Sequence, residues 1–246
     1  MYDPVKDGIH KKVTGVHFSE IQPPQEFKHL IHSFWEIKTN HHLDEDFVLH
    51  VIPDSCVNIL LNVLEPEIAA ITMRKTEYVA LNLGRSFHYS GIQLLPGMWN
   101  GDPNEIHYGF VNSPYNGNLP LVEVAKKLKG LTFPDYIPIF SDLVSKLWKE
   151  KIIIHNEVLS RILLDIDEIE SVEEMAANVN LSPRQLQRKI KQSTGFSPHD
   201  LLKILRLQKS FKGNYLDHYV DQSHFIHSFK KITGYTPKEF FKHFDV

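Results

Sequence analysis

Between residues 12 and 115 the apolar positions come in short runs rich in β-branched and aromatic residues: "HFSEIQ", "LIHSFWEIK", "FVLHVIP", "CVNILLNVL", "YVALNLG" and "SGIQLLPGM". Turn formers separate them at Pro53-Asp54-Ser55, Gly84, Pro96-Gly97 and Asn116-Gly117. Many short strands with frequent turns predict a barrel or sandwich. The pattern changes near residue 119. "LPLVEVAKKLKG" and "PDYIPIFSDLVSKLWKEK" place apolar residues at helical spacing, with Leu143, Leu147 and Trp148 on one face. From Asn156 onward nearly every window reads as helix. The expected class is α+β in two domains: a β-rich barrel or sandwich-like domain over 1–118, a helical linker arm over 119–154, and an all-α domain over 155–246.

Within the helical part, one pattern is written twice. "SPRQLQRKIKQSTGFSPHDL" (182–201) aligns with "DQSHFIHSFKKITGYTPKEF" (221–240), 39 residues on. Thr194-Gly195-Phe196-Ser197-Pro198 matches Thr233-Gly234-Tyr235-Thr236-Pro237, and Leu186, Ile190 and Leu201 match Phe225, Phe229 and Phe240. A repeat that keeps apolar positions and turn residues is one supersecondary unit used twice. Capping boxes at Ser171/Glu174 and Ser182/Gln185, Pro183 at a first helical position and Gly195 as a left-handed stop predict two short helices joined by a brief turn, a helix-turn-helix. On the second helix, expected over 183–192, Leu186 and Ile190 can pack on Met175, Ala176 and Val179. Arg184, Gln187, Arg188 and Lys191 then fall on the other side, where Arg suits guanine, Gln suits adenine and Lys suits phosphate.

Charge sharpens this picture only once it is divided. The chain of 246 residues is 42% hydrophobic and 23% charged, ordinary globular values, with a net charge of −3. From Ser182 onward, however, 12 Lys/Arg face 5 Asp/Glu (+7), whereas 15 face 25 before it (−10). A basic C-terminal end suits a nucleic-acid backbone, although a solvated basic helical surface would carry the same balance. No apolar run is long enough for a membrane span, the first residues lack the apolar core of a secretion signal, and the single Cys56 cannot form an internal disulfide. These features predict a cytoplasmic protein.

The stretch "SVEEMAANVNLSPRQLQRKIKQSTGFSPHDLLKILRLQKS" followed by "DQSHFIHSFKKITGYTPKEF" resembles the DNA-binding domain of AraC-type transcription regulators over about 170–241. In that family two helix-turn-helix units, linked by one long helix, enter successive major grooves. By position, the resemblance puts base-reading sites at Arg184, Gln187 and Arg188 on the first recognition helix. On the second it puts them at Ser223, Ile226 and His227, with Gln222 and Lys230 near phosphates. "HSFWEI", "VIPDSCVNILLNV" and "GIQLLPGMW" resemble, more loosely, the N-terminal domain of one subset of regulators. Where a glycine commonly follows Pro-Asp in that subset, this chain has Ser55.

The second copy departs from the family pattern. Between Gln208 and Asp221 lies only "KSFKGNYLDHYV", in which Gly213-Asn214 is a helix-ending pair. The residues left make fewer than two helical turns, so the second unit is expected to lack most of its positioning helix. From Pro198 to Phe211 the connecting helix has 14 residues, roughly 21 Å, against ~34 Å between successive grooves. Phe225 and Phe229 are expected to lose part of their cover, at ~1.5–3 kcal/mol each. His227 in place of Arg points the same way, to weaker DNA binding than an intact pair of units.

Other chemistry finds little support. The 15 histidines include no closely spaced pair completed by Cys or carboxylates, so no metal or other cofactor is expected. Cys56 sits in an apolar strand, no glycine-flanked serine or phosphate-cradling loop occurs, and no enzyme activity is expected. Phe34, Trp35, Tyr89, Met98 and Trp99 could line a pocket for a small apolar or aromatic effector, or else form the barrel core. The expectation is a sequence-specific DNA-binding transcription regulator, responsive to such an effector. Double-stranded DNA would be its partner, with a second copy of the chain in a homodimer and, for an activator, RNA polymerase. The alternative is a sensor or dimerisation protein whose DNA-binding tail has decayed.

Overall fold

The computed structural model describes residues 14–73, 76–211 and 222–243; the side chains of 222–225, 228 and 241–243 lie outside that description. The N-terminal region is β-rich and the C-terminal region helical. Among the described residues eight strands come first: β1 (Val16–Ile21), β2 (Ile31–Thr39), β3 (Phe47–Val51), β4 (Val57–Asn62), β5 (Ala69–Met73), β6 (Val79–Gly84), β7 (His88–Leu94) and β8 (Ile106–His107). Eight α-helices follow among the described residues: α1 (Leu121–Leu128), α2 (Tyr136–Lys149), α3 (Glu157–Leu164), α4 (Val172–Asn178), α5 (Pro183–Thr194), α6 (Pro198–Ser210), α7 (Gln222–Thr233) and α8 (Pro237–His243).

Six strands form one sheet in the order β1-β2-β7-β4-β5-β8, and β3 pairs with β6 in a separate two-stranded ribbon. Strand β5 begins with two alanines, weak strand formers, so its place in the sheet rests on burial between β4 and β8 rather than on propensity. The register sorts side chains by face. Phe34, Ile92, Ile59 and Ile71 stand side by side across β2, β7, β4 and β5, all buried. That row belongs to an apolar cluster continuous with Leu121, Phe140, Leu159, Leu186 and Leu205, so the sheet, α1–α2 and α3–α6 share one core. Phe34 and Phe140 meet edge to face with ring centres 5.3 Å apart.

The opposite face carries Trp35, Ile37, Leu60 and Tyr89, and the ribbon covers it through Leu49, Val51 and Leu81. Gly91 lies under Trp35: a Cβ there would meet the indole at 2.8 Å and the Ile59 carbonyl at 2.2 Å, so only glycine lets the ring lie against the sheet.

A third cluster joins the two regions. Ile52, just after β3, packs with Leu207 of α6, Phe229 and Ile232 of α7, and Phe240 of α8. Phe229 is 0% exposed, its ring 5.6 Å from Phe211 and 5.3 Å from Phe240. The expectation that Phe229 loses its cover is therefore wrong, because the β-rich half supplies part of that cover through Ile52. Gln208 Nε2 donates to the Pro53 carbonyl at 2.7 Å, tying α6 to the same turn. Residues 212–221, where the shortened positioning helix was expected, lie outside the described residues, as does the Phe225 side chain.

Candidate nucleic-acid interface and effector cavity

The first helical pair forms as the sequence chemistry dictates, with one difference. Ser182 Oγ accepts from the Gln185 amide at 3.3 Å and Gln185 Oε1 from the Ser182 amide at 2.9 Å, a complete capping box with Pro183 at the first helical position. At α4, Ser171 Oγ accepts from the Glu174 amide at 3.1 Å, but Glu174 reaches the Glu170 amide instead, at 2.7 Å. The box is thus shifted upstream on one side. Gly195, at φ +74°, ends α5 in the left-handed conformation as the sequence pattern predicts, and the helix runs to Thr194, two residues beyond the expected range.

Helix α5 divides into two faces. Leu186 and Ile190 are 0% exposed in the core with Met175 and Ala176, a burial worth ~1.5–3 kcal/mol each. Arg184, Gln187, Arg188 and Lys191 are all exposed. Neither arginine forms an ion pair among the described residues, while Lys191 Nζ donates to the Gly195 carbonyl at 2.6 Å. Below α5, Arg206 bonds the Glu170 carbonyl and Lys209 pairs with Asp167 at 2.7 Å, so α6 holds the start of the pair in place.

Around its turn the second copy repeats several bonds of the first. Thr194 Oγ1 donates to Ile190 and Thr233 Oγ1 to Phe229, at 2.7 and 2.8 Å. The Gly195 and Gly234 amides donate to Lys191 and Lys230, and the Leu201 and Phe240 amides to Ser197 and Thr236. Ile226, His227 and Lys230 are exposed on α7. Gln222 and Ser223 occupy its first turn, but their side chains lie outside the described residues.

A contact between the halves adjoins this second unit. The Tyr78 amide donates to the Ile232 carbonyl at 2.8 Å, and the His50 ring stacks 6.3 Å from Tyr78 and meets Tyr235 edge-on at 6.0 Å. Burial pushes the His50 imidazole below its ordinary value, which favours the neutral ring.

Between the sheet and the β3–β6 ribbon lies a cavity of about 50 Å³. Trp35, Ile37, Asn58, Leu60, Thr72 and Tyr89 form its floor, and Leu49, Val51, Leu81 and Leu83 its roof. Gly109, Phe110 and Val111 line its edge, with Phe110 45% exposed where the cavity meets solvent. Of the five residues proposed from sequence for an effector pocket, Trp35 and Tyr89 are here. Phe34, Met98 and Trp99 are not. Phe34 follows the two-residue period of a strand to the opposite face from Trp35, and Met98 and Trp99 are buried in the core beneath the helices. Asn58 and Thr72 were missed; their signal was a polar residue at an inward position of an otherwise apolar strand. Asn58 Oδ1 accepts from Trp35 Nε1 at 3.0 Å. Burial, and then the charge of Glu65, push the Tyr89 phenol up, so it stays protonated as a donor.

Elsewhere in the β-rich half, His88 Nε2 lies 2.7 Å from Glu36, whose carboxylate also pairs with Lys38 at 2.9 Å. Among the described residues no three His, Cys, Asp or Glu are grouped to hold a metal ion, and no helix is long and apolar enough to cross a membrane.

Residues 19–100 match the model of a family described as a domain of unknown function, DUF6597. No curated protein matches the chain. Among solved structures the chain is similar to an apo variant of ToxT from Vibrio cholerae strain SCE256, with 14% identity over 96% of this chain and 100% of that one and a TM-score of 0.43. It is also similar to ToxT from Vibrio cholerae O395, with 14% identity over 94% and 98% of the two chains and a TM-score of 0.42. Unsaturated fatty acid bound wild-type ToxT from strain SCE256 aligns at 13% identity over 96% and 98%, with a TM-score of 0.40.

Proposed function

We propose that the chain is a sequence-specific DNA-binding transcription regulator of the AraC type. In this reading residues 1–118 sense a small effector, 119–154 form an arm, and 155–246 bind DNA. One observation carries it: α5 buries Leu186 and Ile190 and leaves Arg184, Gln187, Arg188 and Lys191 open to solvent on a capped, rigid helix. Arg184, Gln187 and Arg188 would read base edges in one major groove, and Lys191 would neutralise phosphate. On α7, Ser223, Ile226 and His227 would face the next groove, with Gln222 and Lys230 near its phosphates. No catalytic role is assigned to any of these groups. The protein would work in the cytoplasm as a homodimer, contacting RNA polymerase as an activator.

The test is binding of the full chain to duplex DNA from upstream of its own gene, measured against salt. A regulator gives a steep linear fall of log affinity with log salt and a preference of at least about a thousandfold over unrelated duplex. A flat response with no preference would overturn the reading in favour of a sensor with a decayed DNA-binding tail.

A further inference from the structure

We infer that the cavity under the β3–β6 ribbon takes an uncharged, ring-bearing ligand, and that the ribbon passes its occupancy to the α7–α8 unit. This deepens the regulator reading and rests on it for its purpose. The chemistry of the walls sets the ligand class. Thr72 and Tyr89 are only 3% and 8% exposed, yet their hydroxyls make no hydrogen bond among the described residues. Asn58 uses its carbonyl on Trp35 and keeps its amide N–H groups unspent among the described residues. These atoms are not sealed from solvent, so a ligand carrying one or two donors or acceptors would replace water on them and be oriented by them. No Lys, Arg or His lines the cavity among the described residues, so a carboxylate would enter without a counter-charge. Trp35 and Phe110 bring aromatic rings to the cavity wall, which suits an aromatic ligand.

Size sets the route of coupling. A cavity of about 50 Å³ is smaller than the ~150 Å³ that holds benzene in a protein core. A ring therefore enters only if a wall yields. The six-stranded floor is backed by the main core, whereas the roof is a two-stranded ribbon, a weak element alone. Lifting Leu49, Val51 and Leu81 shifts the ends of their strands. Those ends lead into Ile52, packed with Phe229, and Tyr78, bonded to Ile232. The roof that must move is the part of the β-rich half that holds the second helix-turn-helix.

The experiment uses the full chain without DNA. Phenol and indole, with benzoate and indole-3-carboxylate as charged counterparts, are titrated by ligand-observed NMR and calorimetry. Hydrogen exchange is then followed over 76–84 and 229–236 at saturation. The expected result is millimolar or tighter binding of the uncharged rings, about tenfold or more ahead of their carboxylates, with faster exchange in both segments. Leu81→Phe, which fills the cavity, should abolish binding; should it not fold, Thr72→Val keeps the shape and should weaken phenol binding several-fold. Equal binding of the carboxylates, no binding of either uncharged ring, or unchanged exchange in the liganded protein would each overturn the inference. Ligand binding with normal coupling but no DNA binding would instead remove the regulator reading.

Discussion

The backbone amide of Tyr78 donates a 2.8 Å hydrogen bond to the carbonyl of Ile232, the penultimate residue of α7. The last carbonyls of a helix have no partner within it, so the β-rich half caps α7. Ile52 supplies apolar cover beside this bond and Gln208 anchors α6 to Pro53. Ile52→Ala should therefore lower global stability by about 2–4 kcal/mol in urea unfolding. It should also speed amide exchange in α7 while leaving α5 protected. Equal loosening of both helices would show that the seam does not hold the second unit selectively.

The open face of α5 makes a sharper prediction. Arg184→Ala and Arg188→Ala should each weaken binding to the preferred DNA by about 1–3 kcal/mol. Unfolding stability should change by no more than about 0.5 kcal/mol, as expected of exposed side chains without ion pairs. On α7, His227→Arg adds a permanent charge to an exposed position and should tighten binding several-fold at neutral pH. Fluorescence anisotropy at fixed salt measures all three; arginine variants that bind as the wild type does would place the interface elsewhere.

How much of this was legible in the sequence depends on how local the cause is. Ser182, Pro183, Gln185 and Gly195 announce α5 because capping acts between residues three or four apart, and the repeat announces the α7–α8 turn for the same reason. The cavity was half visible. Trp35 and Tyr89, picked out as aromatics, do line the cavity, but Phe34 was put beside Trp35 although adjacent strand residues face opposite sides. Asn58 and Thr72 become neighbours only through the β4–β5 pairing. The cover over Phe229 was not legible at all, since Ile52 is 177 positions away and nothing local links them.

Glu36 predicts a pH dependence. Burial opposes its ionisation, but hydrogen bonds from His88 and Lys38, with their charges, outweigh that and hold the carboxyl below its ordinary 4.5. A carboxylate with a depressed folded value contributes stability above about pH 4.5 and loses it as pH falls through the lower folded value. Glu36→Gln should cost about 1.5–3 kcal/mol at pH 7, the range for hydrogen bonds to a charged group. Its urea midpoint should also fall less than that of the wild type on acidification below pH 4.5. Parallel acid limbs for the two proteins would show that this cluster does not carry the linkage.

The turn that receives Gln208 also contains a residue in an unfavourable conformation. Ser55 has φ +64°, in the left-handed region, where a Cβ costs roughly 1–2 kcal/mol. Its hydroxyl is buried without a hydrogen-bond partner among the described residues. Both features explain why glycine commonly follows Pro-Asp in the regulators this stretch resembles. Ser55→Gly removes the Cβ strain and the unmet hydroxyl together, at the expense of a freer unfolded chain and a small void. The expected net effect is a gain of about 0.5–1 kcal/mol in urea unfolding, with the fold of β3 and β4 unchanged by circular dichroism. A loss of stability would mean that the Ser55 side chain fills space the turn needs, and that its left-handed backbone carries little strain.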